Sequence, residues 1–251
     1  WSAFKDDTSW DAADFHEFGY NDGQEIMYGK PLGDRYVIYK TKSIWVMTFT
    51  GNADIPFLVF KTNSPVGLAA PFSVQEIDNG HIFCSWDGLY YFDGLNSYKL
   101  SDKLNNTFRG LNRKRLQYAK SVYQQDKNRY LLSVANATST PNNLVITATY
   151  DRFSDNPSQL FKLNKYTGMS ASNLAIFNVD GTEERLYWSD YLGYTYRGDI
   201  GLNDNPSNTT YAVNSYHYTN WKNFDDICDR KGVPHAYIYH SKTNGTLTFA
   251  Y

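Results

Sequence analysis

From Gln24 onward, short runs of aromatic and β-branched residues recur, each cut off by a cluster of Gly, Asn, Asp, Pro or Ser. That pattern predicts strands and tight turns rather than helices. Arg35 to Tyr39 and Ser43 to Phe49 read as a hairpin turned at Lys40-Thr41-Lys42, with Phe57 to Phe60 following the turn Thr50 to Asp54. After the loop Pro65 to Pro71, Phe72 to Ile77 leads into a hairpin over Gly80 to Gly94, which turns at Asp87-Gly88, where the positive φ angles of a short turn are accessible. Leu95 to Leu100 continues that sheet. Gln117 to Tyr123 with Arg129 to Val134 forms a further hairpin, then come Leu144 to Tyr150, Leu160 to Leu163 and Leu174 to Val179. Tyr211 to Tyr218, Ala236 to His240 and Thr246 to Tyr251 end the series.

Three stretches break the rhythm. Residues 1–23 are polar and irregular and read as a loop pinned by Trp1, Trp10, Phe15 and Phe18. Asp102 to Asn112 is the one helical segment, with Ser101 or Asp102 as N-cap and Leu104, Phe108 and Leu111 on one face. Asp199 to Thr209 reads as a polar loop.

The hairpin at Gly80 to Gly94 has a counterpart at Arg185 to Gly198: an aromatic strand, a Ser/Asp/Gly turn and a Tyr-rich strand closed by glycine. A recurring hairpin type points to a repeated β unit. Some fifteen or more short strands and one short helix predict an all-β fold: barrel, sandwich or propeller. Propeller blades take ~40–45 residues, so a chain of this length makes roughly five or six, degenerate and with an incomplete ring possible. The meander order and the aromatic hairpins favour a propeller, one domain over residues 1–251, as a piece of a longer chain.

Composition agrees with sheet surfaces. The 251 residues include 22 Tyr, 15 Phe and 6 Trp, and mean hydropathy is -0.57. A net charge of -2 gives no overall basic footprint for nucleic acid. Two cysteines, Cys84 and Cys228, are too few for a disulfide scaffold, and Cys84 in its apolar strand reads as a buried free thiol. No apolar run reaches the ~18 residues of a membrane-spanning helix.

Catalytic chemistry is not legible. The histidines His16, His81, His217, His235 and His240 lack metal-site spacing. Asp199, Asn203, Asp204 and Asn205 lack the ligand order of a calcium loop and read as Asx turns. Asp87 is a lone candidate carboxylate at a hairpin tip, and Ser85-Trp86-Asp87-Gly88 only partly matches the Asp-box turns of sialidase propellers. Arg197-Gly198-Asp199 and the sequons at Asn105, Asn136, Asn208 and Asn244 are at chance frequency for an Asn-rich chain. No catalytic, metal or cofactor residue is assigned, and the chain is expected not to be an enzyme. Exposed Tyr and Trp could form a sugar-stacking platform.

The order of phrases carries a resemblance. It runs from Trp1-Ser2 through Asn21-Asp22-Gly23-Gln24-Glu25-Ile26, Val37 to Trp45, Thr48-Phe49-Thr50-Gly51 and Pro56-Phe57. Val66-Gly67-Leu68-Ala69-Ala70-Pro71-Phe72-Ser73-Val74 follows, then the central hairpin and Leu100 to Leu104. Tyr218 to Phe224 and Asn244 to Thr248 come last. This order resembles the β-propeller region of tailed-bacteriophage tail proteins of the nozzle, tubular-tail or hub type. Many relatives in that family carry a cysteine beside the glycine near Gly67, where this chain has Leu68.

The resemblance implies a virion structural protein of the tail, made in the bacterial host cytoplasm. It would form a homo-oligomeric ring with other tail and portal-adaptor proteins around a conduit through which DNA passes without tight binding. It implies no cofactor and no membrane insertion. A carbohydrate- or receptor-binding propeller that meets a host surface glycan is the alternative expectation.

Overall fold

The computed structural model describes residues 17–199 apart from 53–54, 151–160 and 180–182, together with residue 15 and short strands at 2–3, 6–10, 203–204 and 211–212. The chain divides into two units, residues 1–199 and 200–251. In the second unit the described structure is one antiparallel pair, Asn203–Asp204 with Tyr211–Ala212.

The first unit begins with a small hairpin, β1 (Ser2–Ala3) and β2 (Asp6–Trp10). The expected N-terminal loop is therefore partly strand, formed by residues with no apolar alternation to announce it. Four antiparallel sheets then follow in strict sequence order. Sheet one is β3 (Ile26–Leu32), β4 (Arg35–Lys40), β5 (Ile44–Phe49) and β6 (Phe57–Lys61). Sheet two is β7 (Gln75–Ile77), β8 (Gly80–Ser85), β9 (Gly88–Phe92) and β10 (Ser97–Lys99). Sheet three is β11 (Lys120–Gln124), β12 (Arg129–Val134), β13 (Leu144–Tyr150) and β14 (Phe161–Thr167). Sheet four has three strands, β15 (Asn173–Val179), β16 (Glu183–Ser189) and β17 (Thr195–Arg197). The fold is all-β with one short α-helix among the described residues, and each sheet is an open meander that does not close on itself.

Period-two alternation sorts each strand's residues between two neighbouring sheets. In β8, Phe83 faces sheet one, in a cluster with Val37, Tyr39, Ile44 and Val46. Ile82 and Cys84 face sheet three, in a cluster with Tyr130, Leu132 and Ile146. Leu131 and Val145 point the other way from sheet three, toward Leu174 and Leu186 of sheet four. Sheets two and three are thus covered on both faces, which is why all six residues of β8 are buried and why that run is apolar without a polar face. The two aromatic hairpins, β8–β9 and β16–β17, both join the second and third strands of their sheets.

First strands set the stacking. β11 lies against β7 on one side and β15 on the other. Polar side chains lock these seams: Gln75 Nε2 donates to Ser121 O at 3.1 Å, Ser121 Oγ to Phe72 O at 2.8 Å and Gln124 Nε2 to Glu184 O at 3.0 Å. Tyr130, fully buried, donates its hydroxyl to Ser73 O at 2.8 Å across sheets two and three. Tyr130→Phe leaves that carbonyl without its partner, and urea denaturation should show a loss of about 1–2 kcal/mol.

The link from β10 to β11 differs from the single helix expected over Asp102 to Asn112. It is a 3₁₀ turn at Asp102–Leu104, helix α1 at Asn105–Arg109 and a second 3₁₀ segment at Arg113–Tyr118. Asn-Asn-Thr is a poor helix former, and Gly110 ends α1 with its N–H on Asn106 O and Thr107 O. Neither expected N-cap forms a side-chain cap. Ser101 Oγ instead accepts from Leu89 N at 3.0 Å. The apolar face is as expected, with Phe108 and Leu111 buried in the core between sheets two and three. The strand expected from Phe72 begins only at Gln75, because Pro71–Ser73 is a 3₁₀ turn. Residues 151–160, which include the start of the strand expected from Leu160, and everything from Val213 onward, including the last strands of the series, lie outside the described residues.

Candidate interaction surfaces

The titratable groups within the core are engaged in packing contacts. Tyr39 Oη and His81 Nδ1 are 2.9 Å apart, and His81 Nε2 is 2.9 Å from Pro31 O. A carbonyl only accepts, so Nε2 carries the proton and Nδ1 receives the Tyr39 hydroxyl. Burial lowers the His81 pKa to about 4, keeping the ring neutral. Cys84 is a buried free thiol as expected, pushed up to about 12 by burial and then by the charge of Asp87. A thiol so protonated is no nucleophile.

The carboxylates at the strand tips serve as turn anchors. Asp87 accepts Tyr90 Oη at 2.9 Å and Lys99 Nζ at 3.0 Å. Asp190 Oδ1 accepts the N–H groups of Leu192 and Tyr194 at 2.8 and 2.9 Å, while Oδ2 takes Tyr196 Oη at 3.0 Å. Asp199 pairs with Arg129 and Lys127. Burial works against its ionisation, yet those cations outweigh it and hold its pKa below the usual carboxylate value. The Arg197-Gly198-Asp199 tripeptide therefore has its acid tied back to sheet three. Of the calcium-loop candidates, Asn203 and Asp204 lie in a short strand and Asn205 is outside the described residues, as are His16, His217, His235, His240 and Cys228. Among the described residues no three His, Cys, Asp or Glu side chains gather as metal ligands, and no helix is long and apolar enough to cross a membrane.

What sheet one and the tips present outward is mainly apolar, with Lys61 beside Trp45 as an exposed charge on that face. The outer face of sheet one carries Tyr36 and Ile38 on β4, Trp45, Met47 and Phe49 on β5, and Phe57 and Val59 on β6, in cross-strand register. Residues 17–24 strap part of it. Phe18 meets Trp45 edge-on at 6.3 Å, and Lys40 Nζ bridges Phe18 O and Asp22. Beyond the strap, Phe49 is 66% exposed and stands edge-to-face with Phe57 at 5.8 Å. At the other end of the stack, Phe177 is exposed and pairs with Tyr187 at 5.4 Å.

A second apolar feature is the β16–β17 tip. The Asp190 anchor holds Tyr191, Leu192 and Tyr194 outward, with Leu192 83% exposed. Tyr191 Oη accepts from Asn142 N at 2.9 Å, so the tip is fixed against the β12–β13 loop. Contiguous exposed apolar surface of this kind marks binding faces. Sequence reading anticipated exposed aromatics in general, not these positions. The signal for the outer face was the apolar run on both parities of Tyr36 to Tyr39.

No protein-family model matches the chain, and no curated protein matches it.

Proposed function

We propose that this chain is a non-enzymatic structural component of a bacteriophage tail, of the nozzle or hub type, with its four sheets as successive blades of a β-propeller. The observation that carries the reading is the stack itself: consecutive meander sheets that share cores face to face, with neighbouring first strands in contact from sheet two to sheet four. That is how blades follow one another around a propeller. Between Val37 and Leu104, the sequence phrases that resemble tail proteins fall on these strands and on the links between them. Fold alone does not give function, so the tail role rests on the resemblance. The aromatic outer face of sheet one supports it, because a subunit of an assembly needs surface to share. In this role the chain belongs to the virion and works in a ring with neighbouring tail proteins around the passing genome.

Light scattering on a sizing column, with electron microscopy of the peak, tests the proposal on the full-length parent chain. The expected result is a closed ring of fixed copy number with a hole wide enough for duplex DNA. A stable monomer that binds a glycan array through Tyr191 and Tyr194 would replace this reading with the receptor-binding one.

A further inference from the structure

The link between β10 and β11 holds the densest concentration of positive charge in the described residues. Residues 102–120 contain Lys103, Arg109, Arg113, Lys114, Arg115 and Lys120 against the single acid Asp102. Lys103, Arg109, Arg113 and Lys114 are exposed. None of the six cations makes an ion pair among the described residues, although the chain has 26 acids and a net charge of -2. Adjacent like charges repel, and within the run only Asp102 offsets them.

The backbone that carries the array is anchored. Phe108, Leu111 and Leu116 anchor the link in the core. Asn112 Nδ2 donates to Ser139 O at 2.9 Å, Ala137 N to Gly110 O at 2.8 Å and Asn142 Nδ2 to Tyr118 O at 3.2 Å. Arg115 stacks its guanidinium 3.9 Å over Tyr118, and Lys120 sets its ammonium 3.6 Å over Phe72. Those two exposed rings already hold cations, so they serve as supports for charge rather than as open stacking platforms for bases.

We propose that the surface of residues 102–120 is a sequence-independent contact for the phosphate backbone of duplex nucleic acid. Closely spaced cations carried on an anchored backbone suit a stiff polyanion with regularly spaced phosphates better than a fluid lipid surface, and arginine matches phosphate geometry. The inference stands on charge placement alone and holds whether or not the chain assembles into a ring. It is also compatible with a conduit, since binding through a few phosphates at physiological salt is weak.

The test is fluorescence anisotropy with a short labelled DNA duplex of mixed sequence, titrated with the chain across a range of salt. Four exposed cations give a log–log salt slope of about -4, which weakens binding ~10²-fold between 50 and 200 mM salt. The triple variant Arg109→Ala, Arg113→Ala, Lys114→Ala should lose more than ~10-fold in affinity at the lower salt and flatten the slope to about -1. An equal charge change elsewhere, Arg35→Ala, Lys61→Ala, Lys165→Ala, should leave the slope near its original value. Thermal melts by circular dichroism should show both triples folded, since every altered side chain is exposed. Three results would overturn the proposal: no salt-dependent binding, equal loss in the two triples, or capture by anionic phospholipid vesicles or by heparin where the duplex is not bound.

Discussion

Gly67→Ala should destabilise the protein by more than ~3 kcal/mol, beyond the usual range for an added methyl group. A β-carbon at Gly67 would sit 2.3 Å from Lys40 O, 2.4 Å from Lys42 N and 2.6 Å from the Thr41 carbonyl carbon. All three are backbone atoms of the β4–β5 turn, and that turn is closed by Lys40 N donating to Ser43 O at 2.9 Å. No side chain can swing aside to make room. The next residue deepens the cost, because Leu68 N donates to Lys40 O at 2.9 Å while its side chain is fully buried between sheets one and two. Moving the chain away from the turn therefore pulls Leu68 out of the core. Gly33→Ala is the contrast. Its φ is +59° with nothing within 4 Å, so it should cost only the left-handed backbone penalty of about 1–2 kcal/mol. Urea denaturation of the two variants checks the ordering, and a Gly67→Ala protein as stable as the parent would refute the close approach.

Sequence legibility followed the source of each element's stabilisation. The β4–β5 and β8–β9 hairpins were readable nearly to the residue, because apolar runs flank turn residues such as Asp87-Gly88 and local rules suffice. α1 was overextended, since Phe108 and Leu111 do share a buried face while Gly110 breaks the helix between them. The β1–β2 pair was missed because Asp6-Asp7-Thr8-Ser9 offers no apolar pattern, so its strand character comes from pairing alone. The outer aromatic face of sheet one was hidden for a different reason. β4 is apolar on both parities, Tyr36 and Ile38 as well as Val37 and Tyr39, and only the position of sheet two decides which side is inside. The basic surface at residues 102–120 vanished into the net charge of the whole chain. A charge count by segment would have found it.

Acidification should cost the native state about 3 kcal/mol through His81 alone, all of it between pH ~6.5 and ~4. In the folded chain burial holds the His81 pKa at about 4, opposed in part by the bond to Pro31 O and reinforced by the positive charge of Lys30. In the unfolded chain the ring titrates near ~6.5. Between those values the unfolded state binds the extra proton, so stability falls as pH falls and the whole contribution is present only above the unfolded pKa. Turn carboxylates act elsewhere on the scale. Asp87, Asp190 and Asp199 have folded pKa values below the ordinary 3.8, so their stabilisation is lost only as pH drops through and below that range. His81→Gln separates the two effects. It should lower stability near neutral pH, because the Tyr39 hydroxyl and the Pro31 carbonyl lose well-placed partners inside the core. It should also flatten the fall between pH ~6.5 and ~4, since glutamine does not titrate. Urea midpoints measured across that window in both proteins give the answer. Parallel pH profiles would mean that His81 titrates as an exposed imidazole, and the buried Tyr39–His81–Pro31 relay would then have to be abandoned.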